Sequence, residues 1–440
     1  MKVATAAILL LPMISAAQIP STRGSTLDTT ATPITLTEAI RLAQQNSPQT
    51  VVARGAIQTS SLSVKQAYTA FLPSVNVSAG TSHQSGERFD TQGNLVPFTG
   101  NPTNYSTGLN ASLQLFDAGR RFFDIRRSKA DVRAAEATEV TQRYQVALQV
   151  KQQYYNVLAA RESQSAAQAQ IDQANAQLRA ASLRLRAGAA TASDSLRSVI
   201  QLGNARLALL TAQNNLGLAN ATLTRLVASP RPVTATASDT IDQRVVIPNL
   251  AELEPLVEHA PAIEQRQAEL ESAKAASKSA KTSYFPTVNM NFSRNGSGLD
   301  PLFGNGDKRY AYNQSLNFSL QFPLFNNLTR EVNVLRASVA EDNAEVSLRD
   351  ARLEAHQTLV QALGQMTTAQ QQVNIQAASV AAAVEDLRVQ RARYELGAST
   401  LLEVLTSQSQ LDQARTGLIR ARYDYRIAKA QLEALIGRDL

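Results

Sequence analysis

Residues able to carry out chemistry are few in this sequence of 440 residues, and they lie far apart. Cysteine is absent, which excludes disulfides, thiolate metal sites and a cysteine nucleophile. The three histidines are His83, His259 and His356, and no Ser/His/Asp arrangement or carboxylate pair recurs at a spacing that would form a cleft. Residues 303–308, FGNGDK, lack the spacing of a phosphate-binding loop. We therefore expect no enzymatic activity, no metal site and no cofactor.

The basic character of the sequence does not indicate a nucleic-acid partner. The net charge is +7 and the pI is about 9.6. However, arginine and lysine alternate with glutamate and glutamine instead of forming a basic block. The basic stretches also carry few aromatic residues that could stack on bases. We expect no binding to nucleic acid.

Most of the chain is predicted to form two very long helical hairpins. Residues 103–229 contain no proline, and from about Arg120 nearly every residue favours a helix. The break falls at Gly188, because glycine ends helices in the left-handed conformation. We predict a first helix of about 67 residues, on the order of 100 Å long, and a returning helix to about Val227. A rod of that length cannot be enclosed by a compact core.

The same design occurs twice in the sequence. The chain is again free of proline after Pro323, and its break falls at Gly397. An offset of 209 residues, from Gly188 to Gly397, also pairs Asp194 with Glu403. The sequence therefore predicts an internal repeat of two similar halves.

Four shorter segments alternate apolar and polar residues, which is typical of β-strands. They lie at about 73–88, 104–116, 286–295 and 309–322. One face of each is apolar, and the other consists almost entirely of Asn, Ser, Thr and Gln. Aromatic residues gather near the strand ends: Phe71, Tyr105, Phe116, Tyr284, Phe285, Tyr310, Tyr312, Phe322 and Phe325.

The domain boundaries follow from these patterns. Residues 1–17 have the charged, apolar and small-residue regions of a signal peptide, and 18–34 form an extended polar segment. The first repeat spans 35–228, with a helix, two strands and the hairpin 120–228. A proline-bounded linker or equatorial segment follows at 229–248. The second repeat, 249–440, contains a helix, two strands and the hairpin 328–437.

Export, an uncharged polar face and aromatic strand ends favour outer-membrane strands over a soluble sheet. Four strands cannot close a barrel, and an open sheet edge in hydrocarbon leaves backbone groups without partners. Several chains must then share one barrel. We expect an obligate oligomer in contact with outer-membrane lipid, and no N-terminal lipid on a cysteine.

The chain resembles the TolC family of outer-membrane efflux factors over nearly its whole mature length. The motifs that carry the resemblance are FLPSVNV at 71–77, YFPTVNM at 284–290, LFDAG at 115–119, LFNN at 324–327 and RYELGASTLLEVL at 393–405. The resemblance implies a mostly α fold with a transmembrane β part. It also implies a homotrimer with a shared barrel of 12 strands, four per chain. A mixed equatorial belt and a long α-helical coiled-coil tunnel across the periplasm complete the implied fold.

The resemblance also implies a function and site residues. The chain would be a passive outer-membrane exit duct of a tripartite efflux or secretion system, fed by an inner-membrane pump through a periplasmic adaptor. Gly188 and Gly397 would mark the helical tips that contact the adaptor. Asp194 and Tyr394 would hold the mouth closed, and Glu403 would belong to an acidic ring that narrows the pore.

Two positions depart from the pattern of the best-known members of that family. Ser399 stands in place of an arginine, and Thr406 stands in place of a second carboxylate. A closing salt bridge through Ser399 is therefore impossible, so we expect a gate that is weaker or differently held. Opening would require only that packed coiled coils shear about the tip, with the adaptor favouring the open arrangement.

Alternative interpretations remain at this stage. Instead of acting at the mouth, Asp194 can be a helix cap, Tyr394 can pack between helices, and Glu403 can face solvent. The alternative function is a soluble periplasmic coiled-coil adaptor or scaffold, although such a protein would need no two-faced strands. The exported substrate stays open among drugs, metal ions, peptides and proteins.

Overall fold

The computed structural model describes residues 31–89, 91–97, 103–188, 190–236, 249–306 and 309–438. The first half contains one long helical hairpin, preceded by two short helices and the strands. Its elements are β1 (Thr32–Ile34), α1 (Leu36–Asn46), α2 (Pro48–Thr69), β2 (Ser74–His83), β3 (Glu87–Phe89), β4 (Leu95–Pro97), β5 (Thr103–Phe116), α3 (Arg120–Arg186), α4 (Ala192–Val227) and β6 (Val233–Ala235).

The second half follows the same series. Its elements are α5 (Leu250–Val257), α6 (Pro261–Lys281), a 3₁₀ turn (Thr282–Tyr284), β7 (Thr287–Gly298), β8 (Tyr310–Gln321), α7 (Thr329–Glu395) and α8 (Leu401–Ile436). The long helices α3 and α7 each have 67 residues, and the returning helices α4 and α8 each have 36. Among the described residues, no helix combines the length and hydrophobicity that a bilayer crossing requires.

The main sheet has four antiparallel strands in the order β2-β5-β7-β8. Its two edge strands are β2 and β8, and each has one side without a partner strand in the described chain. Residues paired across the sheet share a face, so Val77, Leu109 and Arg294 lie in one row with Gln314. A bulge between Gln114 and Phe116 shifts the register at the helical end of β5.

The helices continue the strand order. Next to the sheet, α2 packs on α3, α3 on α6, and α6 on α7. Farther from the sheet, α4 packs on α3, α3 on α8, and α8 on α7. The protomer is therefore a wall of four elements at every level, with α7 along one side and α2 followed by α4 along the other.

Both strand-to-helix exits use the left-handed conformation. Ala118 and Gly119 have φ of 54° and 85°, and Asn327 and Leu328 have φ of 54° and 61°. In the first exit, the buried carboxylate of Asp117 accepts hydrogen bonds from the backbone N–H of Gly119 and of Arg121. It thereby satisfies N–H groups that the first turn of α3 leaves without helical partners.

A small parallel sheet lies beside the middle of the helical wall. β1 pairs with β6, and the fully buried Tyr154 of α3 holds both strands. Its hydroxyl lies 3.1 Å from the carbonyl oxygen of Ile34 and accepts a 3.0 Å hydrogen bond from the backbone N–H of Thr236. Around Tyr154 lies the largest apolar core, formed by α1, α3, α4, α8 and this sheet.

Several boundaries differ from the predicted ones. The strand predicted at 73–88 ends at His83, and the short hairpin β3–β4 lies between this strand and the next strand of the main sheet. The strand predicted at 286–295 continues to Gly298. The predicted linker 229–248 and extended segment 18–34 contain the paired strands β6 and β1. Three-residue strands are too short for alternation to reveal, which is why the sequence did not predict them. The predicted signal peptide, residues 18–30 and residues 237–248 lie outside the described residues.

Candidate functional site

The two helical hairpins turn at Gly188 and Gly397. Their φ values are 70° and 74°, in the left-handed region where a side chain is disfavoured. At the second tip, the backbone N–H of Gly397 donates to Tyr394 O and that of Ala398 donates to Arg393 O. These bonds satisfy carbonyl groups that the end of α7 would otherwise leave open. A methyl group added at either glycine would meet no other described atom within 4 Å, so both tips present bare backbone outward.

Each returning helix begins with a threonine at its N-cap. Thr191 Oγ1 accepts from the backbone N–H of Asp194 at 3.3 Å, and Asp194 Oδ2 accepts in return from the backbone N–H of Thr191 at 3.2 Å. At the second tip, Thr400 Oγ1 accepts from the backbone N–H of Glu403 at 3.3 Å. The carboxylate of Asp194 is thus engaged in a capping box, while that of Glu403 is left for another partner.

The partner of Glu403 is Ser399. The Ser399 hydroxyl donates a hydrogen bond to Glu403 Oε2, and Gln390 Oε1 lies 3.3 Å from the same hydroxyl. This hydrogen bond lowers the pKa of the exposed Glu403 carboxyl, with smaller lowering contributions from the Thr400 backbone and from the charge of Arg393. Glu403 therefore keeps its negative charge at neutral pH.

Tyr394 contacts the other hairpin through Arg184. The guanidinium carbon of Arg184, on α3, lies 4.7 Å from the centre of the Tyr394 ring, which is a cation–π contact. No hydrogen bond joins Tyr394 to Asp194 within the described part of the chain. The structure therefore brings Tyr394 to Arg184 and leaves Asp194 at its cap. A role of Asp194, Tyr394 and Glu403 in a pore, and of Gly188 and Gly397 in adaptor contact, stays a prediction.

A buried polar ladder links the two hairpins above the tips. At its centre is the side-chain amide of Gln408, on α8, which is only 4% exposed. Gln408 Oε1 accepts from Gln173 Nε2 of α3 and, at 3.1 Å, from Arg391 Nη2 of α7. Gln408 Nε2 donates to Asp412 Oδ1 at 3.0 Å. We call Gln173, Arg391, Gln408 and Asp412 the inter-hairpin ladder.

Asp412 is the half-buried acidic member of the ladder. Burial raises the pKa of its carboxyl, while hydrogen bonds from Gln408 and Gln170 and the charge of Arg415 lower it. The amide of Gln408 thus stabilises the carboxylate in a half-buried position. Because both carboxamide atoms of Gln408 are used, the ladder has fixed partners on three helices.

The sheet has two chemically distinct faces. The apolar face is open in the protomer, with Val77 79% and Leu320 70% exposed. The opposite face carries Asn, Ser, Thr, Gln and small residues, without a charged side chain in the four strands. Serines pair across it, as in Ser74 with Ser112 at 2.7 Å and Ser293 with Ser315 at 2.9 Å. Strands that separate lipid from water have the same two kinds of face, one apolar and one polar.

Two of the histidines in the described ranges have polar side-chain partners. Within those ranges, no three His, Asp or Glu side chains cluster closely enough to hold a metal ion. His83 Nδ1 is hydrogen-bonded to Thr103 Oγ1, and His356 Nε2 lies 3.2 Å from Glu254 Oε1.

Comparison with known proteins decides the family. The profile of the family described as outer membrane efflux protein matches residues 39–229 and 253–438, and so covers both repeats. This chain belongs to the outer membrane efflux protein family. The resemblance read from the sequence motifs is thereby confirmed.

Individual members of the family are distant in sequence. The pyoverdine export outer membrane protein OpmQ of Pseudomonas aeruginosa is 25% identical over 405 residues, which cover 91% of this chain and 83% of OpmQ. Protein CyaE of Bordetella pertussis is 29% identical over 397 residues, covering 87% of this chain and 79% of CyaE. A crystal structure of CusC superposes with a TM-score of 0.78 at 19% identity, over 93% of this chain and 94% of that chain. The mostly helical fold of this efflux protein is therefore that of TolC-like channels.

The inter-hairpin ladder was not foreseen from the sequence. Its members lie on three helices, and Gln173 and Gln408 are 235 residues apart. Glutamine is so common along these helices that a buried one gives no separate signal. The burial pattern of α8 offers a hint, because Gln408 lies seven residues after Leu401 and three before Leu411, both of which are buried.

Proposed function

We propose that this member of the family is a passive outer-membrane exit duct. Three copies would close one barrel of 12 strands, and their helices would form a tunnel across the periplasm. The duct would receive its cargo from an inner-membrane pump through a periplasmic adaptor that contacts the tips at Gly188 and Gly397. The observation that carries this proposal is the pair of open edges on each protomer.

The open edges are costly in isolation. β2 and β8 each leave one row of backbone N–H and C=O groups without a strand partner in the described chain. In hydrocarbon, each unpaired backbone group costs several kcal/mol, roughly what one buried amide loses without a hydrogen bond. Pairing β8 of one protomer with β2 of the next satisfies both rows at once. A closed ring of protomers then has no edge.

The edge helices carry matching apolar stripes. On α7, exposed apolar residues recur every seven positions: Val332, Val339, Val346, Leu353 and Val360. On the opposite side of the wall, α2 and α4 also expose large apolar residues: Val51, Val52, Leu62, Leu196, Val199, Ile200, Leu207, Leu210 and Leu218. A repeat of seven is the spacing of a helix that packs along a partner helix. These stripes support closure between α7 and the α2/α4 side of a neighbour.

Position 399 is a serine, so the closed state of the proposed gate must depend on contacts other than an arginine salt bridge there. We assign the closed state to the inter-hairpin ladder and the Arg184–Tyr394 contact, both of which join the first hairpin to the second. Glu403, whose carboxylate stays ionised, would contribute one position of an acidic ring at the mouth. An adaptor that binds better to separated hairpins would open the duct by shifting the population.

The part of the lumen formed by the barrel would be permissive. The polar face of the sheet is uncharged, so it offers no basis for selecting cargo by the sign of its charge. The named relatives are consistent with this, since OpmQ serves pyoverdine export and CusC a cation efflux system. We therefore assign the choice of cargo to the pump and adaptor.

The test is assembly and conductance. Chain extracted from outer membranes in detergent should have the mass of three mature protomers, each lighter than the 47.5 kDa of the full sequence by the predicted signal peptide, and it should insert into planar bilayers as a channel. The alternative, a soluble periplasmic coiled-coil adaptor or scaffold, would remain in solution without detergent. A monomer that never enters a bilayer would overturn the duct and support that alternative.

A further inference from the structure

One cation lies on the apolar face of the main sheet. In the four strands, Arg294 is the single Arg, Lys, Asp or Glu residue, and its row contains Leu109, Val77 and Gln314. The rows on the helical side of it contain Phe292, Leu316 and other apolar residues. If the proposed function holds, this face is in contact with lipid. A charged side chain there requires a physical reason, because charges facing lipid are costly and usually functional.

The position of Arg294 is close to the outer rim. It lies six residues beyond Val288, which is about 20 Å along the strand and about 15 Å in height once strands tilt as they do in barrels. The rim itself is marked by three tyrosines on the same face, Tyr105, Tyr310 and Tyr312. An apolar band about 25 Å tall that begins at Val288 therefore extends about 10 Å beyond Arg294, to the level of Tyr105 and Tyr310.

The guanidinium of Arg294 is directed toward that rim. Its central carbon lies 4.7 Å from the centre of the Tyr312 ring, two residue rows nearer the loops. Tyr312 is itself fixed, because its hydroxyl donates to Phe303 O at 3.2 Å and its ring lies 5.2 Å from that of Tyr310. The Tyr312 ring therefore orients the Arg294 side chain, and the guanidinium lies on the side of the lipid headgroups.

Arg294 has no anionic partner within the described residues. No carboxylate there lies within ion-pair distance of it, and it takes part in no hydrogen bond there. Its five N–H donors in a planar fork match two oxygens of a phosphate. Beside it on the sheet, Gln314 adds an amide, and the tyrosine rings offer flat surfaces on which a sugar ring can stack.

We propose that Arg294 and Gln314 bind the phosphate of a phosphorylated glycolipid in the outer leaflet, while Tyr312 positions the Arg294 guanidinium through its ring. The inference rests on the proposed function, because it requires the apolar face to meet lipid. Each protomer supplies one such site, so a closed trimer carries three. The bound lipid anchors the barrel at a defined depth, since the phosphate pairs with a cation at a fixed distance below the loops.

The experiment compares purified trimers in detergent by native mass spectrometry. The probes are bisphosphorylated lipid A, the same lipid with its phosphates removed, and phosphatidylglycerol. The wild-type trimer should retain bisphosphorylated lipid A about tenfold more tightly than the dephosphorylated form, the size expected for one charge-assisted contact. Phosphatidylglycerol, which has a phosphate but no sugar, should be retained less well than lipid A.

The variant Arg294→Gln should lose that tenfold preference and bind both forms of lipid A alike. The matched control is Arg133→Gln, because Arg133 is an arginine of α3 outside the sheet, and it should retain the preference. Equal retention of the two lipids by the wild type would overturn the proposal without any variant. A trimer that forms and conducts but does not prefer bisphosphorylated lipid A would overturn this inference and leave the proposed duct unaffected. A chain that does not assemble would overturn the duct as well.

Discussion

The substitution Gln408→Ala tests what holds the two hairpins together. It removes one buried amide that accepts from Gln173 and Arg391 and donates to Asp412. Alanine cannot replace any of these bonds, and it leaves the half-buried Asp412 carboxylate and the exposed Arg391 guanidinium without their common partner. Burial, which already raises the pKa of the Asp412 carboxyl, would then act without the hydrogen bond that lowers it.

The expected magnitude follows from the charges involved. A hydrogen bond to a charged group contributes about 1.5–3 kcal/mol, and two of the three bonds of Gln408 are of this kind. Because the bonds share one side chain and Asp412 is partly exposed, their sum is discounted to about 2 kcal/mol per protomer. A change of that size shifts the ratio of closed to open hairpins about thirtyfold.

The assay is single-channel conductance in planar bilayers. Gln408→Ala should raise the mean conductance and the time spent in wide states, while leaving the trimer mass unchanged. The control is Gln410→Ala, because Gln410 is exposed on the same helix and should behave as the wild type. Equal conductance of Gln408→Ala and the wild type would show that the ladder does not stabilise the closed state. The closed state would then depend on Tyr394 or on contacts between protomers.

Other predictions concern the tip and the protomer edges. Glu403→Ala should reduce the preference for cations in reversal-potential measurements, and unchanged selectivity would remove Glu403 from the pore lining. Ser399→Ala should raise the pH at which that preference disappears, because the Ser399 hydroxyl lowers the Glu403 pKa and the charge is now lost only when pH falls through that lowered value. The pair Val346→Asp and Leu353→Asp should abolish the trimer on a sizing column in detergent, since both lie on the exposed stripe of α7. Gly397→Val should slow adaptor-dependent efflux and cost about 1–2 kcal/mol of tip stability, as expected for a branched residue at positive φ.

Local rules were sufficient to predict the long elements from sequence. Helix α3 follows from a proline-free run that ends at a glycine with φ of 70°, and α7 follows from the same signals repeated later. The strands follow from alternation, because one face must be apolar and the other polar. In these cases the decisive interactions lie within one element or one turn.

The parts of the fold and of the site that the sequence did not predict depend on contacts between elements distant along the chain. The strands β1 and β6 have three residues each, and their pairing is specified by Tyr154 on a third element. Tyr394 contacts Arg184 of the other hairpin, and Asp194 caps its own helix with Thr191. The ladder around Gln408 spans three helices. None of these contacts has a period or a motif that a single sequence displays.

In the proposed trimer, the matching order of strands and helices would link closure of the barrel to closure of the tunnel. β8 leads into α7, and β2 follows α2, so the two open edges of the sheet continue directly into the two helices that bear the exposed apolar stripes. A neighbour that pairs with β8 is therefore already aligned to cover α7. Helix packing in water can then assemble the wall before the sheet enters lipid, where its edge groups could not remain unpaired. For this reason a substitution on the α7 stripe, far from the membrane, should also prevent barrel insertion.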